Sequence, residues 1–168
     1  GFQYIYTALE EFSFSISDLD LAFGSLIPET PATQTTDLSV NAPSVGGYSV
    51  TVYESHPLRT DEANEIDDTI CDTGSACNES TSNEWNDSDA YGFGYRMTGD
   101  DVPADFSTAD YYRPFPDFED GDSPEEVMGA DVRSLERSAT LQAKINIDAV
   151  QEAGEYETDL VFICTPEY

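Results

Sequence analysis

The sequence predicts an all-β fold, a single antiparallel β-sandwich of Ig-like or jelly-roll-like type, and three observations point to it. Phe12-Ser13-Phe14-Ser15-Ile16-Ser17 alternates apolar with small polar residues. At a period of two this places Phe12, Phe14 and Ile16 on one face of a half-buried strand. Further short runs rich in β-branched and aromatic residues are separated by Gly, Pro, Asp, Asn and Ser, the residues that form turns. Helical periodicity is sparse, and no repeat in the range of roughly 20–50 residues is visible.

Taken in chain order, residues 1–11 read as an extended N-terminal arm and residues 12–168 as the sandwich domain, a size at which one domain buries a sizeable core. Tyr48-Ser49-Val50-Thr51-Val52-Tyr53 follows Gly46-Gly47 and reads as a strand. Residues 60–89 are polar enough to form a long, acidic excursion from the sheets. Ser123-Pro124-Glu125-Glu126-Val127-Met128-Gly129 carries an N-cap Ser, Pro at the first helical position, acids in the first turn and a Gly stop, which predicts one short helix near 123–128. Ala143–Asp148 and Leu160–Cys164 are the last two strands, and the Gly154-containing link between them reads as a hairpin or adjacent-strand return.

Thirty-five Asp and Glu face six Lys and Arg, a formal charge of −29, while 39% of residues are hydrophobic and 12% aromatic. The apolar content is enough for folding. The charge excludes nucleic acid as a partner, because binding it depends on neutralising phosphates with Lys and Arg. It also sets a cost of self-repulsion that salt or divalent cations relieve. The longest apolar runs are far shorter than the ~20 residues of a membrane helix, so no membrane insertion is expected.

Cys71 and Cys77 bracket Asp-Thr-Gly-Ser-Ala, a stretch suited to closing a small disulfide loop, and Cys164 is left over in an apolar strand pattern as a small buried hydrophobe. Zinc is disfavoured, because the three Cys and the single His56 include no CxxC pair. A disulfide and a start at Gly1-Phe2 without Met fit a secreted, cell-surface protein whose leader has been removed. Asn78-Glu79-Ser80 and Asn86-Asp87-Ser88 are glycosylation sequons in the polar excursion.

Catalytic signals are few, and the protein reads as a non-enzyme. His56 precedes Pro57 in a turn-like context, with no nucleophile motif to serve. An acid-pair hydrolase is the one enzyme class left open, since 35 carboxylates make any pair uninformative. Asp117, Glu119, Asp120 and Asp122 surround Gly121 and form a candidate Ca²⁺ site, although Gly121 as the sixth position of an EF-hand loop would put Pro116 first. Tyr91-Gly92-Phe93-Gly94-Tyr95 sets three rings on one face of a strand. They make either a sugar-stacking platform or a core stripe, with glycines that admit a ligand or another backbone.

The closing segments, Lys144–Ile147, Gln151–Tyr156 and Leu160–Tyr168, resemble the C-terminal β-hairpin of secreted β-sandwich proteins of candidate-phyla-radiation bacteria. With Tyr91–Tyr95, Asp101-Val102-Pro103 and Tyr111–Phe115 they are broadly similar to WxL-type cell-surface domains, over about the last half of the chain. The resemblance implies an exported surface sandwich and says little about mechanism. The chain departs from it in its acidity, in Cys164 and in lacking a WxL tripeptide.

Gly1-Phe2-Gln3-Tyr4-Ile5-Tyr6-Thr7-Ala8-Leu9 is apolar on both faces, with Phe2, Tyr4 and Tyr6 on one and Ile5 and Leu9 on the other. A terminus of this kind needs burial, whereas most termini are polar and frayed. Donor-strand complementation supplies it, the arm completing a neighbour's sheet and the head-to-tail contact propagating as a fibre. The expected function is therefore a pilus-like filament subunit whose partners are copies of itself. A monomeric calcium-dependent adhesin or carbohydrate-binding module and a viral capsid or spike protein are the alternatives.

Overall fold

The computed structural model describes residues 11–43 and 46–168, so the arm residues Phe2, Tyr4, Ile5, Tyr6 and Leu9 lie outside the described residues. Eleven strands and one 3₁₀ turn (Ala104–Ser107) make up the regular structure among the described residues. Strands β1 (Ser13–Ile16), β2 (Ala32–Ala42), β7 (Gly92–Gly99) and β10 (Ser134–Asn146) form a four-stranded sheet in the order β1-β2-β10-β7. Strands β3 (Gly47–Glu54), β9 (Glu125–Ala130) and β11 (Leu160–Glu167) form a three-stranded sheet in the order β11-β3-β9. All pairings within both sheets are antiparallel, and the fold is an all-β sandwich.

Period-two patterning builds the core. Leu38 and Val40 on β2, Tyr48, Val50 and Val52 on β3, Tyr95 and Met97 on β7, and Leu141 and Ile145 on β10 are all buried in one cluster. Each set alternates with more exposed neighbours along much of its strand, as a sheet with one face on the core requires.

Two expectations are corrected. Residues 125–130 are strand β9, where the local signals predict a short helix near 123–128. Pairing with β3 outweighs those cap signals, and a register shift opposite Val50 and Thr51 leaves Val127 as an extra residue. Val127 and Met128 are both fully buried there, so two consecutive side chains enter the core, which a regular strand facing one core would not achieve. The link after β10 is also no hairpin, because β10 pairs with β2 and β7 while β11 pairs with β3. It crosses from one sheet to the other.

The polar excursion carries β5 (Glu65–Ile66), paired with β4 (Leu58–Arg59) just before it, and β6 (Asn83–Glu84), paired with β8 (Tyr111–Tyr112) beyond it. A second small core holds it: the Cys71–Cys77 disulfide, Trp85 and Tyr112. Lys144 reaches into this core from β10, its Nζ 4.4 Å from the Trp85 ring centre and donating to the Trp85 carbonyl at 2.5 Å. Burial lowers the Lys144 pKa, and the ring faces and carbonyl replace part of its lost hydration.

Candidate functional site

The outer edge of β7 is fastened, and the other sheet edges are open. On the β7 side the excursion and the segment after β8 lay their backbones against β7: Phe93 N donates to Asp67 O at 3.0 Å, and Tyr95 exchanges both backbone bonds with Arg113 at 2.8 Å. Gly92 and Gly94 permit this. A Cβ on Gly94 would stand 2.6 Å from Arg113 O, and one on Gly92, whose φ is +126°, would stand 2.6 Å from Thr69 N. The glycines of the Tyr-Gly-Phe-Gly-Tyr run thus admit another backbone. Phe93 and Tyr95 are buried, with Tyr95 stacked on Phe115 at 4.5 Å, so neither ring face is available to a sugar; only Tyr91 is partly exposed.

β1 and β11 are sheet edges whose outer sides pair with no strand among the described residues, and β9, the other edge of the three-stranded sheet, meets only the bond from Gly129 N to Asp101 O. Between β1 and β11 opens a groove of about 1030 Å³. Its walls come from Ile16 on β1, Leu21, Phe23 and Leu26 on the loop that follows, and Leu160 and Phe162 on β11, with Phe93 and Ile145 at its floor. The wall residues are only half-buried, and Leu19 in the same groove is 87% exposed. Leaving such surface in water costs about 25 cal/mol per Å². Asp18, Asp20, Glu152, Glu155, Glu157 and Asp159 add acid around it.

The free edge of β11 has a defined chemistry. Ser55 N donates to Asp159 O at 2.9 Å, which aims the backbone of Asp159, and by alternation of Val161, Ile163 and Thr165, at β3. The N–H and C=O groups of Leu160, Phe162 and Cys164 therefore face outward. Pro166 follows in the same parity and offers a carbonyl without an N–H, which ends the usable edge. Cys164 is half-buried rather than fully buried, and desolvation raises its thiol pKa to about 11.

The acids singled out in the sequence divide. Asp117 is buried and its Oδ1 accepts the Glu119 N–H at 2.7 Å, Asp122 Oδ2 accepts the Asp117 N–H at 3.1 Å, Glu119 pairs with Arg59 at 2.6 Å, and Asp120 is exposed. Among the described residues no three Asp, Glu, His or Cys side chains form a group that could hold a metal. Asn78 and Asn86 are both exposed on the excursion.

One acidic group is not legible as a site in the sequence. Glu54, at the end of β3, is fully buried, and neither of its carboxyl oxygens meets an N–H or hydroxyl donor. Asp68 and Asp117 are its acidic neighbours, and like charges held near a desolvated carboxyl favour its protonated form. Desolvation first, then the charge of neighbouring acids, raises the pKa of both; for Asp68 the bond to Glu54 acts in the opposite direction. Glu54 continues the inward parity of Tyr48, Val50 and Val52, which is the signal the sequence offers. Sealed from solvent, its carboxyl is not placed to meet a substrate. Comparison with family models, curated proteins and solved structures finds no match to this chain.

Proposed function

We propose that the protein is a structural subunit of an extracellular filament, in which residues 1–9 of one copy complete the sandwich of the next. The observation that carries this reading is the asymmetry of the sandwich. The outer edge of β7 is fastened by backbone pairing, whereas β1 and β11 keep unpaired edges beside a groove with apolar walls and an acidic rim. A groove bordered by a free edge is the acceptor half of strand complementation, and a strand with two apolar faces is the donor half. The contact joins two different surfaces, so it propagates as a fibre. The Cys71–Cys77 disulfide supports an oxidising, extracellular setting. No helix among the described residues is long and apolar enough to cross a membrane.

Negative-stain microscopy tests the reading. Fibres from the full chain and discrete particles after deletion of residues 1–9 are the expected pair of results; discrete particles from the full chain at every concentration would end it.

A further inference from the structure

Strand donation by itself leaves open where the arm lies. Building on that reading of the function, we infer that the donated strand runs beside β11, hydrogen-bonded to the outward backbone groups of Leu160, Phe162 and Cys164, and that the occupant is residues 1–9 of a second copy rather than of the same one.

Three observations select this lane. The edge of β11 extends over eight residues, against six for β9, which does not line the groove, and four for β1, whose pairing with β2 leaves only Phe14 and Ile16 facing outward. The groove opens at the Leu160 end of β11, and Pro166 closes the other end, so the lane has a stop that fixes how far an added strand reaches. Residues 1–9 carry no carboxylate side chain, and they approach the acidic rim without like-charge repulsion.

The choice of a second copy follows from the chain's own direction. β1 runs from Ser13 to Ile16, and the groove lies at the Ile16 end, so residues 1–10 precede the end remote from it. Filling its own groove would require the arm to turn back beside β1. Leu9-Glu10-Glu11-Phe12 offers none of the Gly, Asn, Asp or Pro that tight reversals use. Extended at about 3.3 Å per residue, nine residues span roughly 30 Å, enough to lie along a neighbour's edge strand.

Pro166 suggests the test. Cys164 has the same outward backbone parity, and Ile163 before it is already extended, so Cys164→Pro removes one free-edge N–H and no bond to β3. This variant can donate but not accept. The chain lacking residues 1–9 can accept but not donate. Light scattering should find each monomeric alone and a doubling of mass on mixing, while the full chain polymerises. A Cys164→Pro chain that polymerises like the full chain overturns the lane and leaves the filament reading standing. A full chain that stays monomeric overturns both. A readout independent of proline is Tyr6→Cys: oxidation should yield an intermolecular ladder through the native Cys164, absent when Cys164→Ser is added. A ladder that survives Cys164→Ser, or a disulfide formed within one chain between the introduced cysteine and Cys164, would contradict the inference.

Discussion

Glu54 is fully buried with Asp68 as an acidic neighbour, and none of the ion pairs among the described residues involves either acid. A buried carboxylate without a cation is expensive, so burial and neighbouring charge favour the protonated forms. This relationship has a definite sign. Both folded-state pKa values are raised, so the folded protein keeps protons that the unfolded chain releases above its ordinary carboxyl range. The contribution is fully present below that range, near pH 4, and is lost as pH rises towards the raised folded values.

Chemical denaturation between pH 5 and pH 8 measures it. Each proton held only by the folded state gives a slope of about 1.4 kcal/mol per pH unit, with the protein weaker at the higher pH. Glu54→Gln keeps the shape and one donor but removes the titration, and it should flatten the slope. Equal slopes in the two proteins would show that the pair does not hold a proton.

Gly94 is where Arg113 crosses β7, and a methyl group there meets backbone on one side and the Thr69 side chain on the other. Gly94→Ala should cost about 1–3 kcal/mol by overpacking, read as a lowered denaturation midpoint with an unchanged slope. An unaffected midpoint would mean that the crossing is loose.

The Cys71–Cys77 loop is short, so its loss should cost about 2 kcal/mol on chain-entropy grounds. Trp85, the one tryptophan, sits in the same small core. Reduction should therefore shift its emission to the red. Emission that stays blue after reduction would show the small core standing without its bridge.

A formal charge of −29 on 168 residues repels itself. Raising NaCl from about 0.01 M to 1 M shortens the screening length from about 30 Å to 3 Å, and the melting midpoint should rise by several degrees, about 2–4 °C for each kcal/mol gained. A falling midpoint would contradict the electrostatic account.

Much of the sandwich is written in alternation. Phe12–Ser17, Tyr48–Tyr53, Ala143–Asp148 and Leu160–Cys164 fall on or overlap β1, β3, β10 and β11. Strand β2 does not stand out in the sequence, because Ala32–Asp37 is mostly Thr, Gln and Asp and its apolar set begins only at Leu38. The 123–128 segment misleads because its caps are local signals, while the bulge that buries Val127 beside Met128 comes from pairing with β3, remote in sequence. Glu54 escapes notice because a glutamate is ordinarily a surface residue, although its parity in β3 points inward. The groove is illegible for a different reason: it is made by the crossing from β10 to β11, which sets two distant edge strands side by side.

Amide hydrogen exchange at Leu160, Phe162 and Cys164 tests the central claim most directly, since these N–H groups face the free edge. Assembly through the arm should slow their exchange strongly in the full-length polymer and leave them fast in the chain lacking residues 1–9. Exchange at the three amides that is the same in both would contradict strand donation at this edge.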